Sequence, residues 1–320
     1  MLFLPRTGDT LAQDVANLSL DLPALIPDFL YSQTSTMLAA DPGIGKSIIS
    51  MQLALSLASG SPLFGTFAIP VPQKVYYLQL EGSYPHAIER LRRMQSVVPL
   101  SAEHLCWDMG EGFNVLREAD WLRVEARITR FGTPALLIID PLYMLVAGGL
   151  SEDRPASAVV RFLTAMMQTF HCAQWVNHHT HRTRYHNGRI VEEVDPFYGS
   201  QWLKAHFDAS WLMTRMGKSR VRLDCKKDRN GVLTKSLELI YHQETMTCEN
   251  IKFAEAPAMA KVLAVIADCK GRNITISSQE ICMKTGVSHS HLYRLQNEIG
   301  KMNLVKLHKF PGKDTLWEAV

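Results

Sequence analysis

One short stretch constrains this chain more than any other: Asp41-Pro42-Gly43-Ile44-Gly45-Lys46-Ser47. An apolar run, Met37-Leu38-Ala39-Ala40, precedes it, and an amphipathic helical pattern over 48–57 follows. Strand, glycine turn and helix in that order make a phosphate-binding loop. Gly43 and Gly45 let backbone N–H groups turn towards phosphate oxygens with no Cβ in the way. Lys46 would reach the β- and γ-phosphates, and the Ser47 hydroxyl would hold Mg²⁺. Pro42, Ile44 and Ile48 complete the nucleotide-binding set, so ATP and Mg²⁺ are the expected cofactors. Ala40 stands where the usual pattern has glycine, but it opens the loop rather than touching phosphate. The flanking strand and helix set the motif apart from a chance glycine turn.

Beyond the loop, apolar segments alternate with helical patterns. Strands are predicted over 75–80, 135–139 and 173–177, and helices over 85–95, 119–131 and 157–170. A closing hairpin is expected from 209–216 and 220–226, followed by a strand over 237–241. Ala135-Leu136-Leu137-Ile138-Ile139 is continuously apolar, the type buried on both faces of a parallel sheet. The expected fold class is α/β: a mostly parallel sheet flanked by helices. Residues 1–30 read as a lead-in broken by Pro23 and Pro27. Residues 31–255 form the expected core, and 256–320 a separate small domain.

At 320 residues the chain can hold one large or two modest domains. Hydrophobic residues are 47% and charged residues 20%, a globular profile. The N-terminal sequence lacks the apolar core of a signal peptide, and no stretch reaches membrane-span length. Six cysteines are scattered without a C-x-x-C pair, which points to free thiols in a reducing cytoplasm. The net charge of +3 is uneven: residues 258–320 carry nine Lys/Arg against five Asp/Glu, leaving the first 257 residues at −1. Basic charge gathered in a small module suggests a polyanionic partner, although a merely solvated surface fits charge alone equally well.

A phosphate loop needs an acid to hold the metal. Asp140 closes the apolar strand, and an aspartate at that end of a parallel strand faces the ligand crevice. Ser47 and Asp140 are therefore the expected metal set. Hydrolysis also needs a carboxylate for the attacking water. Pro141 follows Asp140, so the candidate is Glu81, ending the strand over 75–80. The set Pro42-Gly43-Ile44-Gly45-Lys46-Ser47, Tyr76-Tyr77-Leu78-Gln79-Leu80-Glu81, Leu137-Ile138-Ile139-Asp140-Pro141 and Val176-Asn177-His178-His179 resembles the RecA-like ATPases. Within these it is most similar to the plasmid replicative helicase RepA family and related phage and mobile-element ATPases, over about residues 23–250. The resemblance implies that Glu81 is the catalytic base, and that His178 and His179 sense the γ-phosphate and couple it to DNA loops. Three histidines within four residues (178, 179, 181) could instead suggest metal, but no Asp, Glu or Cys stands nearby at ligand spacing.

RecA-like enzymes complete their site with a cation from the neighbouring subunit. Lys226, Lys227 and Arg229, ahead of the turn signal Asn230-Gly231, are the candidates, with Arg215 and Lys218 as alternatives. A long polar segment over 180–201 carries Arg182, Arg184, Tyr185 and Arg189, suited to a single strand's phosphates and bases; the resemblance places the DNA-facing loop there. The segment 143–153, through Gly148-Gly149, is a second candidate. A mobile loop without a partner also fits both. Tyr31 is a guess for adenine stacking.

After Pro257, the order helix (258–269), helix (277–284), tight turn, helix (288–302) and hairpin (305–310, 315–319) is that of a winged helix. Its third helix offers Ser288, His289, Ser290, His291, Arg294 and Asn297 to bases or phosphates, with Leu292, Leu295 and Ile299 towards its own core. Lys306, Lys309 and Lys313 belong to the wing. Such modules also contact proteins. The expectation is a DNA-dependent ATPase, assembled as a homo-oligomer and in the fullest form a hexameric ring, acting as a helicase in replication of a plasmid, phage or mobile element. The rival is an ATP-gated DNA-binding regulator without unwinding. A small-molecule phosphotransferase would leave the C-terminal module unexplained.

Overall fold

The computed structural model describes Gly8, Gln13 and residues 23–146, 149–150, 152–180, 184–186, 189–192 and 201–251. Towards the C-terminus it describes 259–263, 265–266, 269, 275–285, 287, 292–293, 295–296, 299, 305–308 and 315–319. The chain divides into two compact units, Met1–Cys248 and Glu249–Val320. The division falls a few residues before the position expected from Pro257.

The first unit is built on a nine-stranded sheet. Its strands are β3 (Ser35–Ala40), β4 (Val75–Gln79), β5 (Leu105–Met109), β6 (Leu136–Asp140), β7 (Ala173–His179), β10 (Ala209–Arg215), β11 (Arg220–Asp228), β12 (Ser236–His242) and β13 (Thr247–Asn250), in the order β13-β12-β11-β10-β3-β7-β6-β4-β5. From β10 to β5 every neighbouring pair is parallel. β10–β11 and β11–β12 are antiparallel, the expected closing hairpin and its successor. β1 (Ala24–Ile26) and β2 (Leu30–Tyr31) form a separate hairpin. The described end of the expected lead-in, from residue 23, thus contributes to this hairpin. Ile26, Phe29 and Leu30 bury in the main core, and Phe29 stacks on Trp175 and Trp211.

Strand alternation distributes the core between two faces. Leu38, Ala40, Tyr77, Ile138 and Trp175 pack towards helices α1 (Lys46–Ser59) and α2 (Tyr84–Met94). Met37, Ala39, Tyr76, Leu78, Ile139 and Val176 pack on the other face, with α3 (Glu118–Phe131), α4 (Asp153–Phe170) and α5 (Gln201–His206). β6 is buried at all five positions, as its unbroken apolar sequence requires. Tyr76, Asp108 and Arg127 tie the edge strand β5 to β4 and α3: the Tyr76 hydroxyl donates to Asp108, and Arg127 donates to the same carboxylate at 2.6 Å. All six cysteines are free thiols. No described helix is long and apolar enough to cross a membrane.

Within 180–201, β8 (Arg184–His186) and β9 (Arg189–Glu192) form an antiparallel hairpin. The second unit has its own core of Val262, Ile266, Cys269, Ile281, Leu292, Leu295, Ile299 and Trp317. It contains the helix Ser278–Thr285 and a three-stranded sheet in the order β14 (Ile276–Ser277), β16 (Leu316–Ala319), β15 (Val305–His308). Ser277 caps that helix reciprocally: its hydroxyl accepts from the Glu280 N–H at 3.2 Å, and Glu280 accepts from the Ser277 N–H at 2.9 Å.

Candidate active site

The phosphate loop lies between β3 and α1. Gly43 (φ +75°) and Gly45 (φ +118°) hold conformations that a side chain would strain. α1 opens directly from Gly45, whose carbonyl accepts from the Ile48 and Ile49 N–H groups. Lys46 is nearly buried, at 6% exposure. Its ammonium donates to the carbonyls of Ala40 (2.7 Å) and Asp41 (3.1 Å) and meets His179 Nδ1 at 3.2 Å. Burial lowers its pKa to about 8, against the opposing pull of Asp140, Asp41 and Glu81. His179 is lowered as well, by burial and by the Lys46 charge, so a neutral ring offers Nδ1 to the ammonium.

A cleft of about 520 Å³ opens over the loop. It is lined by residues 42–48, by Glu81, Asp140, Pro141 and His179, and on its far side by Arg215, Lys218, Arg220, Tyr241 and Met246. Strand parity explains the convergence. Gln79, Asp140 and His179 all fall on the α1 face of their strands at the C-terminal edge, and Glu81 follows two residues after Gln79. β4 and β6 are direct neighbours, with Gln79 opposite Asp140. The buried Asp140 carboxylate accepts from the Tyr77 hydroxyl at 2.7 Å, and Tyr77 stacks on Trp107 at 3.9 Å. Burial and the Asp140 charge push the Tyr77 phenol well up, so it stays a donor. Ser47 and Asp140 offer a hydroxyl and a carboxylate, hard oxygen ligands in one cleft. Mg²⁺ suits such a sparse set because it keeps waters and takes its remaining ligands from phosphate. The residues present fit the ion.

The sequence profile of the AAA domain family (AAA_25) matches residues 5–184, more than half of the chain. The chain belongs to the AAA domain family. Among solved structures, this AAA domain protein is similar to one described as an ATPase domain, at 14% identity with a TM-score of 0.56, covering 76% of this chain and 96% of that one. It is also similar to a DnaB-like replicative helicase described with its interactions with primase, at 15% identity with a TM-score of 0.56, covering 76% of this chain and 65% of that one. No curated protein matches. The fold is that of a RecA-like P-loop ATPase core.

Within this AAA domain protein the expected residues divide into groups. Lys46, Ser47, Glu81, Asp140 and His179 share the cleft. His178 does not. It is 1% exposed and falls on the opposite face of β7, where even-numbered neighbours such as Val176 pack towards α4 and α5. Adjacent strand residues point to opposite faces, so a histidine pair cannot enter one cleft together. Lys226, Lys227 and Arg229 lie outside their own chain's cleft: Lys227 donates to the Lys204 carbonyl at 3.0 Å, and Arg229 pairs with Asp208 at 2.8 Å. Arg215 donates to the Gly43 carbonyl at 3.0 Å, so within one chain it serves the phosphate loop in cis. Tyr31 is a correction: it lies near the N-terminal end of β3, away from the cleft, and cannot stack on a base there. Arg184, Tyr185 and Arg189 fall on the β8–β9 hairpin. Arg182, His181, Ser288, His289, Ser290, His291, Arg294, Asn297, Lys309 and Lys313 lie outside the described residues.

Sequence reasoning missed Arg90, Arg220, Tyr241 and Met246 on the cleft wall. Arg90 belongs to the arginine-rich face of α2, which was a visible signal. It also missed Tyr143, whose hydroxyl donates to Glu81 at 2.7 Å.

Proposed function

We propose that this chain is a DNA-dependent ATPase that assembles as a homo-oligomeric ring, a hexamer in its fullest form, and drives DNA unwinding or remodelling in replication of a plasmid, phage or other mobile element. One arrangement carries the reading: Lys46, Glu81 and Asp140 line a single cleft at the C-terminal edge of a parallel sheet. Loop N–H groups and Lys46 receive the phosphates, Lys46 exchanging its carbonyl partners for phosphate oxygens. Ser47 and Asp140 would hold Mg²⁺, Asp140 through water; when bound, the ion neutralises phosphate charge. Glu81 takes the proton of the attacking water. His179, touching Lys46, senses the terminal phosphate. Lys226, Lys227 and Arg229, which do not line their own chain's cleft, act on the neighbouring subunit's nucleotide.

The single DNA strand meets Arg184, Tyr185 and Arg189 of the β8–β9 hairpin, together with Arg182 of the same polar segment. The C-terminal unit acts as a winged helix on duplex DNA, through Ser288, His289, Ser290, His291, Arg294, Lys309 and Lys313. The capped helix and three-stranded sheet of that unit support the winged-helix assignment; the likeness of the ATPase core to a DnaB-like replicative helicase supports the role on DNA. The test is ATPase rate with and without single-stranded and duplex DNA, beside a strand-displacement assay. Stimulation with displacement is the expected result. Duplex binding without displacement would favour the ATP-gated regulator, a reading that the separate core of the C-terminal unit also suits. ATPase activity indifferent to any DNA would sink the first reading, and a chain that binds neither form of DNA would sink both.

A further inference from the structure

Glu81 and His179 share a neighbour that no step above uses. Tyr143 stands in the short 3-10 helix Leu142–Leu145, three residues after Asp140. Its hydroxyl donates to Glu81 Oε2 at 2.7 Å. Its ring meets the His179 ring, with centroids 5.0 Å apart and planes tilted by 46°. One side chain thus touches both the proposed base and the histidine beside Lys46. Glu81 is exposed and lies beyond the last residue of β4, immediately before Gly82 at φ +87°. The sheet ladder therefore does not fix its rotamer, and a carboxylate with several free torsions spends little time aligned on a water.

We propose that Tyr143 is a positioning residue for ATP hydrolysis: its hydroxyl holds the Glu81 carboxylate by Oε2, leaving Oε1 to take the proton of the attacking water, while its ring ties that alignment to His179. The inference deepens the ATPase reading and rests on it. Desolvation and the bond to Glu81 push the phenol up to about 12, so Tyr143 donates across the working pH range and transfers no proton itself.

Tyr143→Phe keeps the ring and removes only the hydroxyl. The expected result is a roughly tenfold fall in kcat, with KM and directly measured nucleotide Kd within about twofold of wild type, because only the aligned transition state loses an interaction. Combined with Glu81→Gln, the same substitution should add no further loss, since its effect runs through the carboxylate. A Tyr143→Phe enzyme with wild-type kcat overturns the proposal. So does a double variant whose losses multiply, which would mark a general structural role. Normal turnover by Glu81→Gln alone would instead remove Glu81 as the base. That is a failure of the ATPase mechanism, visible independently of any change at Tyr143.

Discussion

Lys46 donates to two carbonyls of its own loop, and its nearly buried position sets how the site should respond to pH. Burial lowers the ammonium to about 8, whereas a triphosphate favours its charged form. The complex thus has the higher pKa, and the affinity contributed by Lys46 is fully present below pH 8 and declines as pH rises past it. A fluorescent nucleotide titrated from about pH 7 to about pH 9.5 should show flat, then weakening, binding, by at most about tenfold per unit. A profile level to the alkaline end would remove Lys46 from phosphate binding. Lys46→Ala should lose nucleotide binding outright. Glu81→Gln should bind normally and lose about a hundredfold or more in turnover, the scale of general-base catalysis. Isothermal binding beside a phosphate-release assay separates the two outcomes.

Helix α1 is fixed to the sheet by a buried polar triad as well as by apolar packing. Trp175 Nε1 donates to Ser50 Oγ at 2.9 Å, and Ser50 Oγ donates to Asn177 Oδ1 at 2.8 Å. Ser50→Ala strands the indole N–H in a buried position, so it should cost about 1–3 kcal/mol in denaturant unfolding. A variant as stable as wild type would show that the site relaxes around the loss. Elements like α1 were legible in the sequence because their environment is uniform. The unbroken apolar run of β6 and the glycine loop ahead of α1 have one reading each. β5 was not legible: Leu105-Cys106-Trp107-Asp108-Met109 sits at the sheet edge, partly exposed along most of its length, and has neither alternation nor an apolar run. The β1–β2 hairpin was hidden by Pro23 and Pro27, which break helices but leave a short hairpin free to form. At the site, Glu81 and Asp140 could be read from their positions at strand ends. The parting of His178 from His179 could also have been read, since strand period alone separates them. Tyr143 could not, because its contacts depend on how the chain folds back after β6.

For the whole molecule, the prediction concerns sites shared between copies. Arg229→Ala should impair the neighbour's site while leaving its own Glu81 intact, and Glu81→Gln should do the reverse. Mixed after dissociation and reassembly, the two inactive preparations should regain part of the wild-type ATPase rate, because some junctions then pair an intact Glu81 with an intact Arg229. No recovery in mixed oligomers confirmed by mass would refute an arginine supplied in trans. The loss of the Arg229–Asp208 pair is controlled by Asp208→Asn, which breaks the same link without removing the cation. One more consequence follows from the stack of Trp107 on Tyr77, whose hydroxyl holds Asp140. The indole lies one contact from the acid, so it is a ready-made optical probe: occupancy of the cleft should alter its emission, and Trp107→Phe should abolish that change without any dye having been attached.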